Sequence, residues 1–274
     1  VCFTDANIGT AVGYHGAILR TTNGGLSRIK QTNGTLTELY GVCFTDSNTG
    51  PAVGFGGIFR TTNGGVSRFE QANGTNYHLN GVFFIDANTG FTVGESGTIL
   101  YTTNGGTNWI EQTSGTTNPL YGVYFIDANK GTAVGWDGII LRTTNGGANW
   151  INQSIGTTPL YGVCFTDANT GTAVGRDGTI LRTTDGGTNW ILQTSGTINN
   201  LTSVSFTDAN NGTVVGLSGT ILRTTDGGIN WNTQTSGTNK DLSGVSFIDA
   251  NTGTAVGWDG TILHTTNGVT TYYK

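Results

Sequence analysis

The stretch VCFTDANTGTAVGRDGTILRTTDGGTNWILQTSGT, from Val163 to Thr197, decides the fold, because the chain writes variants of it seven times. Copies open on a Val-x-Phe step at Val1, Val42, Val82, Val123, Val163, Val204 and Val245, a period of 40 or 41 residues throughout. A fixed period of that length is the signature of propeller blades. Each copy holds four short runs rich in β-branched and aromatic residues, separated by Gly, Asn and Asp turn chemistry. It reads as a four-stranded antiparallel meander. In the quoted copy the strands are expected at residues 163–166, 172–175, 179–183 and 189–193, with tight turns at Arg176-Asp177-Gly178 and Asp185-Gly186-Gly187. One such sheet cannot stand alone in water, whereas seven stacked radially bury both faces of each. The expected fold is therefore all-β, a single seven-bladed β-propeller domain over residues 1–274. The small Ala-Val-Gly of the second strand is expected to let neighbouring sheets approach. Tyr272 falls where other copies have Trp, so blade seven is expected to supply its own fourth strand and close on blade one without strand exchange.

Composition narrows the function classes. The 274 residues include 46 Gly, 3 Pro and no Met, and only 11% are charged, against roughly 25% in ordinary soluble domains. Glycine at that density excludes helical solenoids. A net charge of -5 leaves no basic face for phosphates or an anionic bilayer, so neither a nucleic acid partner nor membrane insertion is expected. No apolar run approaches the roughly 18 residues of a membrane span. The first residues carry no export signal, and a start without Met inside a strand-like run suggests a processed product or fragment. Low charge with abundant Thr and Asn fits an extracellular, cell-surface or periplasmic/lumenal setting. Cys2, Cys43 and Cys164 share one slot of the first strand. They are expected to be free, buried thiols beyond the roughly 7 Å Cα reach of a disulfide. Three histidines without spaced partners give no metal site, and no cofactor is expected. Sequons at Asn33, Asn73, Asn152, Asn200 and Asn211 are what so Asn- and Thr-rich a chain makes by chance.

The turn between the third and fourth strands reads Thr183-x-Asp185-x-Gly187-x-x-Trp190, which resembles the Asp-box, or BNR repeat, of sialidases and many other propellers. It recurs with Asn104 and Trp109, Asn145 and Trp150, and Asp226 and Trp231. Arg28 and Arg68 replace the Trp in blades one and two, and Val269 and Tyr272 break the pattern in blade seven, so these three boxes look decayed. The expected role is a turn clamp: the Asp or Asn oxygen accepts backbone N–H bonds in its own turn while Trp covers the hairpin. The longer pattern runs Leu-x-Gly-Val-x-Phe, Asp-x-Asn-x-Gly, Ala-Val-Gly, then Gly-Thr-Ile-Leu-Arg-Thr-Thr-Asp-Gly-Gly. It is similar to the photosystem II stability and assembly factor type of propeller and covers the whole chain. That resemblance implies a non-catalytic assembly chaperone holding a protein partner.

Five third strands carry Arg20, Arg60, Arg142, Arg182 and Arg223, and every first strand ends near an Asp: Asp5, Asp46, Asp86, Asp127, Asp167, Asp208 and Asp249. A ring of cations suits an anionic partner, but Arg–Asp pairing within or between blades is the preferred expectation. A sialidase-like hydrolase is the alternative enzyme, yet it needs non-repeated catalytic residues. The residues that break the repeat here are scattered singly, so no catalytic residue is assigned.

Variation among the copies points to the site. The second-to-third-strand turns differ most: Tyr14-His15, Phe55-Gly56, Glu95-Ser96, Trp136-Asp137, Arg176-Asp177, Leu217-Ser218 and Trp258-Asp259. The connections between blades, such as Glu38-Leu39-Tyr40, Tyr77-His78 and Lys240-Asp241, also vary. In an antiparallel meander these two sets of loops leave the same end of a blade. The candidate binding residues are therefore Tyr14, His15, Phe55, Glu95, Trp136, Asp137, Arg176, Leu217, Trp258 and Asp259. Exposed aromatics suit a protein surface or stacking on sugar rings. A protein partner is preferred because a lectin repeats its binding residues, and only Trp136-Asp137-Gly138 and Trp258-Asp259-Gly260 match. A low-charge, flat exterior leaves self-association open.

Overall fold

The computed structural model describes residues 1–31 and 36–268. It is an all-β seven-bladed propeller: six described blades are four-stranded antiparallel sheets in sequential strand order, and the seventh shows three strands. The expected fourth strand of blade seven, with Tyr272, and the sequon at Asn33 lie outside the described residues. Two compact units divide the chain, Val1–Ala133 with Leu141–Asn152, and Val134–Ile140 with Gln153–Lys274.

Blade five shows why these residues make these elements. Its strands are Leu160–Phe165, Gly171–Gly175, Ile180–Thr183 and Ile191–Gln193. The first begins three residues before the expected start, because Leu160 is 1% exposed and burial draws it into the sheet opposite Gly175. A register shift between Leu160 and Gly162 absorbs the extra residue. The fourth strand is shorter than expected and presents Ile191 and Leu192 to solvent. Ala173, Val174 and Ile180 are fully buried and form the packed middle of the blade.

The expectation about small residues is corrected in one respect. A side chain on Gly175 would strike the carbonyl of Pro159 in its own blade, so that glycine serves the register shift. The close approach between sheets falls on the first strand. A Cβ on Gly162 would meet the backbone of Ser203 in blade six at 3.2 Å.

Candidate functional site

Each blade has two ends with different chemistry, one uniform from blade to blade and one varied. In the turn after the first strand, an Asp oxygen accepts the backbone N–H groups two and three residues on. Asp86 Oδ1 accepts from Asn88 at 2.7 Å and Thr89 at 2.8 Å, and Asp167 and Asp249 do the same. The expected turn clamp follows the third strand. Thr183 Oγ1 donates to Asp185 Oδ1 at 2.9 Å, the Gly187 N–H donates to Thr183 Oγ1 at 2.8 Å, and the Asn189 N–H donates to Asp185 Oδ1 at 2.9 Å. Trp109, Trp150, Trp190 and Trp231 each stand edge-on to the first-strand Phe of their own blade, at 5.9 to 6.0 Å between centroids.

The Arg–Asp pairing expected from sequence is replaced by another contact. Arg60 donates to the Ala87 carbonyl of the next blade at 2.7 Å and lies 5.3 Å over the Phe84 ring. Arg20, Arg182 and Arg223 repeat the arrangement on Ser47 and Phe44, on Ala209 and Phe206, and on Ala250 and Phe247. Each Asp carboxylate is already occupied by its own turn, so the guanidinium reaches the same turn through an outward carbonyl and stacks on the ring. The arginines thus pin one blade to the next.

The boxes of blades one and two lack only the Trp. Thr21 with Asn23, and Thr61 with Asn63, keep the full turn bonding. Arg68 stands in for Trp and donates to Gln31 Oε1 at 3.2 Å, as Trp109 and Trp150 donate to Gln71 and Gln112. Burial pushes the Arg68 guanidinium down to about 10. Those glutamines were missed at the sequence level. Gln31, Gln71 and Gln112 also donate to the Gly64, Gly105 and Gly146 carbonyls of the next blade, at 2.6, 3.1 and 3.0 Å. Their recurrence at one place in the repeat was the available signal.

The carboxylates of this end tie stability to pH. The N–H of the Asn two residues on is the chief cause that holds Asp86, Asp127 and Asp167 below the usual carboxylate range. Because their folded values lie below the unfolded value of about 3.9, the stability they add is present above that pH and lost as pH falls through the folded values. Asp86 and Asp167 are exposed and Asp127 is half-buried, so solvent screens all three. Urea unfolding is expected to give constant stability from about pH 7 to 5 and a decline below about pH 4. A chain carrying Asp86→Asn, Asp127→Asn and Asp167→Asn keeps the N–H acceptors and is expected to show a shallower decline. An unchanged slope would exclude these carboxylates as its source.

At the other end of the blade, a single 3-10 turn joins the second and third strands in six blades. Its three positions obey different rules. His15, Ser96, Asp137, Asp177, Ser218 and Asp259 hold the second position with φ between 53 and 56°, which favours short polar side chains. Glycine follows in every case, also at positive φ. Only the first position has an unconstrained backbone, and there stand Tyr14, Glu95, Trp136, Arg176, Leu217 and Trp258. Blade two makes a two-residue turn with Phe55 in the corresponding place. Tyr14 and Trp258 are 54% exposed, Phe55 46% and Trp136 45%.

The connections between blades meet these turns as expected: the N–H of Phe55, Glu95, Arg176, Leu217 and Trp258 donates to the carbonyl of Glu38, His78, Pro159, Asn200 and Asp241, respectively. In the first unit this builds a continuous patch. The Phe55 and His78 rings stand 4.1 Å apart, His78 Nδ1 lies 3.3 Å from Glu95 Oε1, and the Tyr40 hydroxyl donates to Glu38 Oε2 at 3.5 Å. Burial, with the nearby charges of Glu38, Tyr14 and Glu95, pushes the Tyr40 phenol up. In the second unit, Arg176 and Asp177 lie 3.7 Å apart, Lys240 lies 2.5 Å from Asp259, and the Ser218 N–H donates to Asp241 Oδ1 at 2.9 Å. Among the described residues, no group of three His, Cys, Asp or Glu is arranged to hold a metal.

Fold and site define a repeat propeller in which a uniform, self-bonded frame carries one set of varied loops. The chain belongs to the family described as Photosynthesis system II assembly factor YCF48, whose model matches residues 70–158 and 192–274. Among solved structures it is similar to a YCF48 bound to D1 peptide, with TM-score 0.80 and 18% identity over 97% of this chain and 90% of that one. YCF48 from Cyanidioschyzon merolae gives TM-score 0.79 and 20% identity over 97% and 93%. The computationally designed Ika8 protein gives 0.74 and 15% over 97% and 81%. No curated protein matches the chain significantly.

Proposed function

We propose that this chain is a non-catalytic scaffold that holds a protein segment on its varied loops. One observation carries the reading: large exposed aromatics occupy the turn position that the backbone leaves free, while the opposite end of each blade is occupied by bonds within the frame. Aromatic side chains offer much contact area at little entropic cost, which is why they anchor interfaces. The similar YCF48 structure with its D1 peptide supports a peptide as the occupant. Tyr14, Tyr40 and Phe55 beside Glu38 and Glu95 suit a segment with basic side chains laid over aromatic faces. Low charge and a Thr- and Asn-rich exterior support work outside the cytoplasm.

Fluorescence anisotropy with a labelled D1 peptide, and with peptides selected by display on the intact chain, tests the reading. Combined Tyr14→Ala, Phe55→Ala, Trp136→Ala and Trp258→Ala substitutions are expected to weaken binding at least about tenfold. All four side chains are about half exposed, so the melting temperature is expected to stay within about 2 °C. Selected peptides that bind the substituted chain equally well would move the site away from these loops.

A further inference from the structure

We propose that Asn73 is a site of spontaneous covalent modification, where the side chain closes on the Gly74 nitrogen to a succinimide and reopens as aspartate or isoaspartate. An asparagine followed by glycine is the pair in which this closure is least hindered, because no side chain shields the attacking nitrogen. The chain writes Asn-Gly nine times, and eight of these steps lie in the described residues. The frame locks seven of the eight and leaves Asn73 open.

Turn clamps account for five. In blades one to four the box Asn oxygen accepts a threonine hydroxyl and a backbone N–H. Asn104 Oδ1 accepts from Thr102 at 3.0 Å and from Asn108 at 2.9 Å, and Asn23, Asn63 and Asn145 do the same. The nitrogen that would attack is committed as well: the N–H of Gly24, Gly64, Gly105 and Gly146 donates to the carbonyl of Asn7, Asn48, Asn88 and Asn129, each at 2.9 Å. In blade seven Asn267 Oδ1 accepts the Thr265 hydroxyl at 3.0 Å, and Gly268 is buried beside the Ala250 carbonyl. The other two steps belong to strands. Asn80 Nδ2 donates to the Leu120 carbonyl at 2.9 Å inside the strand Leu79–Phe84. Asn211 Nδ2 donates to Asp208 Oδ2 at 2.8 Å, and the buried Gly212 opens the strand Gly212–Gly216.

Asn73 stands in the connection between blades two and three, outside any strand. Among the described residues its side chain makes one hydrogen bond, Oδ1 accepting the Thr75 N–H at 3.0 Å, and nothing accepts the Gly74 N–H. Gly74 is exposed, with φ of +76° and nothing within 4 Å of where a Cβ would stand. The backbone here can therefore rearrange without breaking a strand pair. Blades three, five and six place Ser114, Ser195 and Ser236 at this point, and each hydroxyl donates to the carbonyl two residues on. Serine has no side-chain carbonyl and cannot form the ring.

The Gly74 nitrogen loses its proton to hydroxide and bonds to Asn73 Cγ. The bond from Cγ to the amide nitrogen then breaks, and ammonia leaves with a proton taken from water. Water adds to either carbonyl of the imide and reopens the ring, so the net change consumes one water and releases one ammonia. The product carries an added negative charge in the connection that leads to Tyr77 and His78, and isoaspartate also lengthens the backbone there by one carbon.

In the test, the intact, unglycosylated chain is incubated at mildly alkaline pH, digested at mildly acidic pH and mapped by mass spectrometry. The peptide holding Asn73 is expected to gain the mass of an amide-to-acid exchange and to split into two isomers. It should run at least about tenfold ahead of the peptides holding Asn23, Asn63, Asn104 and Asn145, where several hydrogen bonds must break before attack. In urea those four are expected to convert at rates close to that of Asn73, because the fold is what holds them back. Gly74→Ala is expected to suppress conversion at Asn73 and leave the other sites unchanged. Conversion of any of the four as fast as Asn73 in the folded chain, or their staying slow in urea, would overturn the proposal.

Discussion

Gly178→Ala is expected to destabilise the protein by about 2–4 kcal/mol, from left-handed backbone strain on a side chain and from overpacking against fixed backbone. Gly178 has φ of +71°, and an added Cβ would strike the Thr197 carbonyl and come within 2.9 Å of Ser195 Oγ. Neither neighbour can swing away, because Thr197 O is itself held by the Ser195 hydroxyl at 3.2 Å. Gly196 supplies the control. It has φ of +75° with nothing within 4 Å of the Cβ position, so Gly196→Ala is expected to lose only the backbone part, about 1 kcal/mol. Urea unfolding of the two variants separates strain from collision, and equal losses would show that the collision relaxes at little expense.

Phe125→Ala is expected to be as damaging or more so, at about 3–5 kcal/mol for a buried aromatic removed from a packed core. Phe125 is 2% exposed. It stacks on Phe91 of the preceding blade at 3.6 Å and receives the edge of Trp150 at 5.9 Å, so its loss opens a contact within the blade and one between blades together. Phe69, 56% exposed on a fourth strand, is the control, and Phe69→Ala is expected to stay within about 0.5 kcal/mol. Stability in repeat folds comes from unit and neighbour contributions. A small effect at Phe125 would mean that blade-to-blade stacking contributes little here.

The sequence made the fold legible because the repeat itself supplies the comparison: what every copy keeps is what packing demands. Trp190 and Asp185 declared their turn through fixed spacing, and the loops around Tyr14, Phe55 and Trp258 declared themselves by differing. Contacts from one copy to the next were harder to read. Arg60 and Asp86 looked like partners because opposite charges recur in register, yet Asp86 is committed to its own turn and Arg60 binds a carbonyl and a ring. Charge pattern names complementary groups but not the direction in which a backbone carbonyl points. The Phe55, His78 and Glu95 patch combines residues from two blades and the connection that joins them, so no single copy displayed it.

The six 3-10 turns have one more consequence. Each sets one position with no backbone demand beside two that the backbone nearly dictates, so a side chain can change there without disturbing the residue that follows it. Surface chemistry and folding are in this way written in separate letters of the same three-letter word. A library that randomises Tyr14, Glu95, Trp136, Arg176, Leu217 and Trp258 while holding their successors fixed would draw on a supply of new surfaces at almost no risk to the frame.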